Sequence, residues 1–192
     1  FKAWGINISN ISINKISSRY NLMSQEIWKY NPLTRTGGDT FVDLYNRGLW
    51  TITPSSEEAG GEGPAPNGRA VAVLDGNLTT FWHSNWSVTS PNPPHILTFD
   101  MGRALDIKGF KIWQRQSLTR NIKNMVVEVS LNGTTWTTVD GSPFALQRIA
   151  AEQQILLPAT TRVRYFRFTV PAITDIYDGK FAALAEVDVI KP

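Results

Sequence analysis

From Leu49 onward the apolar residues fall into short runs, each closed by Gly, Pro, Asn or Asp: LWTIT, RAVAVLD, HILTFDM, LDIKGFKIWQ, MVVEVSL, TWTTVD, QQILLP, RVRYFRFTV and LAEVDVI. Runs this short, rich in β-branched and aromatic residues and without a long helical period, predict the strands of an all-β sandwich. Asn132-Gly133 sits between MVVEVSL and TWTTVD, where positive φ is cheap, and Asp140-Gly141 follows as a second tight turn. Antiparallel pairing is therefore expected. In RVRYFRFTV, alternation sets Arg164, Phe166, Phe168 and Val170 on one face and Val163, Tyr165, Arg167 and Thr169 on the other. The first set is predicted to face the core, with Arg164 at its rim.

Residues 1–46 follow another pattern. INISNISINKISS alternates only in places through Ile6, Ile8, Ile11, Ile13 and Ile16, which predicts an extended edge segment. A short helix is predicted over Tyr20 to Tyr30, before the breaker stretch NPLTRTGGD. The organisation expected is an extension, or a linker from a preceding domain, over 1–46 and a β-domain over 47–192.

Composition narrows the class. With 192 residues, 42% hydrophobic and 18% charged, the chain can fill a core, which excludes disorder and coiled coil. Nineteen Lys and Arg against sixteen Asp and Glu give +3, well short of the dense basic stripe of a nucleic-acid binder. The absence of cysteine removes disulfides, thiolate zinc sites and a Cys nucleophile. His83 and His95 lie twelve apart, which is not a helical zinc spacing, and neither G-x-S-x-G nor a phosphate-loop pattern occurs. The Gly-rich SSEEAGGEGPAPNGR lacks the Lys of a phosphate loop, and Glu57, Glu58 and Glu62 do not form an evident catalytic pair. No apolar run approaches the roughly 18 residues of a membrane span. The chain opens on Phe1 with no basic stretch before an apolar one, which leaves a removed leader or an excised segment as the expectation.

Three stretches carry candidate chemistry. In AVLDGNLTTFW a strand is expected to run into Asp75-Gly76 and to gather Asn77, Thr79 and Thr80, either as hard oxygen ligands of the kind calcium takes or as a plain Asp-Gly turn. WHSNW sets Trp82 and Trp86 around His83 before the proline-rich SPNPPH. An indole there can stack on a sugar ring, with Trp82 read as core and Trp86 left between core and solvent. KIWQRQSLTRNIKN ends a strand at Trp113 or Gln114 and supplies Arg115, Gln116, Arg120 and Asn121, as clamps for hydroxyls or sulfate or as a solvated cationic loop.

With those residues in view, the stretch from about Leu49 to Ile190 resembles the discoidin, or coagulation factor V/VIII type C, domain, and looks most like family thirty-two carbohydrate-binding modules. The matching pieces are WTITPSSEE, NGRAVAVLDGNLTTFWHS, PHILTFDMG, IKGFKIWQR, VEVSLNGTTW, RYFRFTV and LAEVDV, in the family's order. The resemblance implies an eight-stranded antiparallel jelly-roll β-sandwich, galactose-binding-domain-like, with a structural calcium near one end. Carried over by position, its ligands would be the side chains of Asp75 and Glu186, Thr80 by hydroxyl and carbonyl, and the carbonyls of Ala72, Asn77 and Ala185.

The resemblance also implies a non-catalytic module that holds carbohydrate on loops at one end of the sandwich. His83, Trp86, Arg115 and Asn121 fit that site, with Tyr177 or Phe181 as a further aromatic. It implies an exported protein with covalently linked neighbouring domains and no membrane insertion. The competing expectation is a binder of anionic surfaces, sulfated polysaccharide or acidic lipid, through Arg115, Arg120, Lys108, Lys111 and Lys123, or a protein-interaction module.

Overall fold

The computed structural model describes residues 44–192. The expected extended segment and the Tyr20 to Tyr30 helix lie outside them. A compact unit spans Tyr45–Pro192. It holds eight strands: β1 (Thr51–Pro54), β2 (Trp82–His83), β3 (His95–Gln114), β4 (Asn124–Ser130), β5 (Thr137–Thr138), β6 (Phe144–Ala145), β7 (Gln153–Val170) and β8 (Ala183–Ile190). Every pairing is antiparallel.

The strands join in the order β2-β8-β3-β7-β4-β5, with β1 added on β3 and β6 on β4. Two long strands make one sheet into two layers. β3 pairs with β1 through its first half and with β8 through its second, and the change falls at a register shift between Asp100 and Leu105. Gly102 lies in that shift at φ +75°, a conformation glycine adopts without a Cβ clash, and its N–H bonds Asp100 Oδ1 at 2.7 Å. The sheet bends there, which sets its two halves face to face. Phe110, from the second half of β3, therefore meets Phe166 of β7 at 5.0 Å between ring centroids, while Phe99 stacks on Phe166 at 4.3 Å.

The alternation predicted for β7 holds for Phe166, Phe168 and Val170, which are buried, and Arg164 sits at the rim on Asp100. Val163, assigned to the outer face, is buried instead. The register shift between Asp100/Leu105 moves the inward set by one residue, as an odd insertion must. RAVAVLD is not a strand: Ala70–Leu74 forms a 3₁₀ turn with Ala70, Ala72 and Val73 buried. Its alternation suits a strand, but alanine has little β preference and a tight turn buries the same side chains. Trp82 is core, as expected. Trp113 points to the side of β3 opposite Ile112 and is only partly buried, outside the core cluster.

Candidate functional site

Two loops meet beside the short strand β2. A buried carboxylate, Glu58, joins them by accepting hydrogen bonds from the N–H groups of Gly60, Gly61, Trp86 and Ser87 and from the Ser87 hydroxyl at 2.7 to 3.2 Å. Burial works to raise its pKa, but the Ser87 hydroxyl and the surrounding backbone N–H groups outweigh it and hold the carboxyl at about 2, down from 4.5. Asn85, the Asn of WHSNW, closes the second loop: its side-chain oxygen accepts from the N–H of Val88, Thr89 and Ser90. It is a scaffold residue.

On this base Trp86 lies 41% exposed. Its ring rests on Gly61 so closely that a Cβ there would come within 2.5 Å of the indole, which gives the glycine a packing role. The indole N–H donates to Glu62 Oε1 at 2.9 Å, and Arg115 Nη2 reaches Glu62 Oε2 at 3.3 Å. Arg115 also lies over the Phe81 ring, 3.8 Å from its centroid. The guanidinium is thus fixed by a ring below and a carboxylate beside it.

His83 is buried at the end of β2. Its Nδ1 stands 2.7 Å from the Ser84 carbonyl, which can only accept, so Nδ1 carries the proton. Burial lowers the His83 pKa, and nearby Arg115 and Arg120 add to that against the pull of the Ser84 carbonyl and Glu62. The ring is neutral at physiological pH, and Nε2, 3.8 Å from Glu62 Oε1, is an acceptor. Phe181 completes the wall, its ring 6.1 Å from that of His83. Together these side chains line an open cleft of about 540 Å³.

Of the residues expected at a sugar site, His83, Trp86, Arg115 and Phe181 are brought together. Tyr177 is not: its hydroxyl donates to the Leu146 carbonyl at 2.8 Å, outside the cleft lining. Asn121 is fully buried behind the loop and donates to the Arg115 carbonyl at 3.2 Å, while its side-chain oxygen is buried with no partner. Glu62 was missed by sequence reasoning. No spacing rule links it to Arg115, and the only signal was an acid set among glycines. Lys108, Lys111 and Lys123 are absent from the cleft lining, so the proposed cationic set is not assembled here beyond Arg115 and Arg120.

The second cluster gathers oxygens. Thr80 Oγ1 donates to Asp75 Oδ2 and stands equally close to the Asn77 carbonyl, at 2.7 Å each. Glu186, also buried, accepts from the N–H groups of Gly76 and Asn77 at 2.7 and 3.1 Å and from Arg47, which also bonds the Val187 carbonyl. Burial raises the Glu186 pKa and contact with Asp75 raises it further, against the pull of Arg47 and Gly76. Two carboxyls near one another are a pair whose charge a hard cation would offset. Ala185 falls at the register shift between Trp113 and Gln114, outside the regular pairing, whereas Ala72 and Asn77 also accept turn bonds. Among the described residues no group of three or more His, Cys, Asp or Glu occurs, so an ion here would rely on carbonyl and hydroxyl oxygens. Carboxylate, hydroxyl and carbonyl oxygens are the hard donor types that calcium takes, and in this structure Arg47 already supplies Glu186 with a cation.

An eight-stranded antiparallel β-fold with a shallow cleft built on its end loops defines a galactose-binding-domain-like module. The F5/8 type C domain matches residues 51–187, and the chain belongs to that family. A sialidase of Micromonospora viridifaciens is 38% identical over 128 residues, 64% of this chain and 19% of the relative, so the chain spans about a fifth of that protein. The C-terminal domain of a chitobiase from Bacteroides fragilis superposes with a TM-score of 0.66 at 31% identity, covering 75% of this chain and 94% of that one. A family 32 carbohydrate-binding module from Clostridium perfringens in complex with galactose superposes with a TM-score of 0.61 at 22% identity, covering 76% and 96%.

Proposed function

We propose that this domain is a non-catalytic carbohydrate-binding module of a longer, exported, glycan-processing protein. The observation that carries the reading is the cleft itself: an exposed indole, a second aromatic ring at Phe181, a neutral imidazole acceptor and a rigid guanidinium donor face one open space. Rings pack on the C–H face of a sugar while Arg115 and His83 Nε2 meet its hydroxyls as donor and acceptor. The galactose-bound structural relative and the two enzymes from which matching domains come support the choice of sugar and the linked-domain setting. The sandwich accounts for the length of the described chain, and Glu62, a carboxylate of the cleft lining, is committed to Trp86 and Arg115.

Calcium belongs to this proposal as a structural ion held by Asp75, Thr80 and Glu186 with the carbonyls of Ala72, Asn77 and Ala185. It would tie the 72–80 segment to β8 and contribute no contact to the sugar. A glycan array probed with the full chain tests the function. Binding to a defined set of glycans that Trp86→Ala abolishes supports it, and an array blank for every glycan, with the protein folded, overturns it.

A further inference from the structure

The far side of the cleft carries two more arginines, Arg120 and Arg148, with Asp178 between them. Arg148 donates through Nη2 to Asp178 Oδ2 at 2.6 Å and through Nε to the Leu118 carbonyl at 2.7 Å. Arg120 reaches Asp178 differently. Its guanidinium Nη1 bonds the Asp178 main-chain carbonyl, and only its backbone N–H meets the carboxylate, at 3.3 Å. One aspartate therefore serves two cations, and among the described residues the Arg120 guanidinium has no carboxylate in ion-pair contact. Counting Arg115 and Glu62, three guanidinium groups face two carboxylates around the opening.

The loop that presents Arg120 is shaped for it. Leu118 at φ +55° and Arg120 at φ +59° both hold left-handed backbone without being glycine, a cost that concentrates at binding sites. The field is felt by neighbours: Arg120 opposes protonation of both His83 and Arg115. Arg148 keeps 41% of its side chain in solvent with one terminal nitrogen uncommitted.

Resting on the carbohydrate reading, we propose that the cleft prefers an anionic sugar, one bearing a carboxylate or sulfate, which Arg120 and Arg148 hold while the remainder of the ring stacks against Trp86 and Phe181. A planar guanidinium pair matches an oxyanion fork, and a neutral sugar leaves the excess charge unanswered. Asp178 is then a resident competitor for the same arginines.

The test is titration calorimetry of the full chain with matched probes: galactose and galacturonic acid, lactose and sialyllactose, galactose and sulfated galactose. The acidic member of at least one pair should bind roughly tenfold tighter, the scale of one charge-assisted contact. That preference should shrink between 0.05 and 0.5 M salt, as the Debye length falls from about 14 to about 4 Å. Arg148→Gln should erase it and Arg148→Lys restore part of it, with thermal melts reporting the fold. Asp178→Asn, which keeps an acceptor but removes the competing charge, should raise affinity for the acidic probe; a merely structural Asp178 would not. Equal binding of both members of every pair, or an Asp178→Asn variant that loses acidic binding while keeping neutral binding and its fold, overturns the preference and leaves the sugar site standing. No binding by any probe in a folded protein overturns both.

Discussion

The indole N–H of Trp86 and a carboxylate oxygen of Glu62 stand 2.9 Å apart, and this bond joins the Gly-rich loop to the WHSNW loop at the mouth of the cleft. The other oxygen of Glu62 meets Arg115, so one carboxylate sets both the stacking ring and the planar donor. Its role is positioning.

Glu62→Ala should therefore weaken glycan binding by about 1 to 2 kcal/mol through loosened neighbours, less than the roughly 1 to 3 kcal/mol of Trp86→Ala or Arg115→Ala, which remove the contacts themselves. The melting temperature should barely move in any of the three. Calorimetry beside thermal melts checks this; a Glu62→Ala variant that binds as tightly as the parent shows that the ring and guanidinium hold their places without it.

Glu58 predicts an acid-sensitive site. Its pKa is depressed in the folded state, so its stabilisation is fully present above the unfolded value near 4.5 and is lost as pH falls toward about 2. Glu58→Gln, which turns an amide toward backbone donors, should cost about 3 kcal/mol near neutral pH and flatten the fall in stability over that window. Denaturant melts of both forms between pH 2 and 6 decide it, and parallel curves would show that Glu58 is not what makes the loops acid-labile.

Much of the fold was legible because strand alternation and turn residues are local: the β4–β5 hairpin and the core face Phe166, Phe168 and Val170 follow from the sequence alone. What was hidden depends on partners far along the chain. Ala70–Leu74 alternates like a strand, and only its neighbours make it a 3₁₀ turn. At the site the residue types His83, Trp86 and Arg115 were readable, but Glu62 was not, since its meaning arises from contacts 24 and 53 residues away. Between Tyr177 and Phe181, four residues apart in one loop, only the path of the backbone decides which ring faces the cleft.

Trp82 and Trp113 should separate cleanly in stability. Trp82 is 1% exposed and donates its indole N–H to the Ser56 carbonyl, so Trp82→Ala should cost about 3 to 5 kcal/mol. Trp113 lies on the outer side of β3 beyond the core cluster and is only partly buried, so its truncation should cost less, about 1 to 2 kcal/mol. Urea melts that give the two variants equal losses would contradict this assignment of faces.

Arg47 bears directly on the calcium proposal. An ion bound to the folded state alone stabilises it by about 2.7 kcal/mol at a hundredfold excess over Kd, so EDTA should lower the melting temperature. An unchanged melt in EDTA, with no metal found by elemental analysis, rules the ion out. Arg47 bonds Glu186, one of the two carboxylates that would hold the ion, and its positive charge opposes a divalent cation there. Removing it should therefore have opposite effects in the two states. Without metal, Arg47→Ala leaves buried Glu186 without its cation and should melt lower; with metal, the ion meets less repulsion and should bind about tenfold tighter, or about 1.4 kcal/mol. The melting increment on adding calcium should thus be larger in the variant than in the parent. A smaller increment would mean that Arg47 orients Glu186 for the ion, in which case the arginine is a positioning residue of the calcium site and not its competitor.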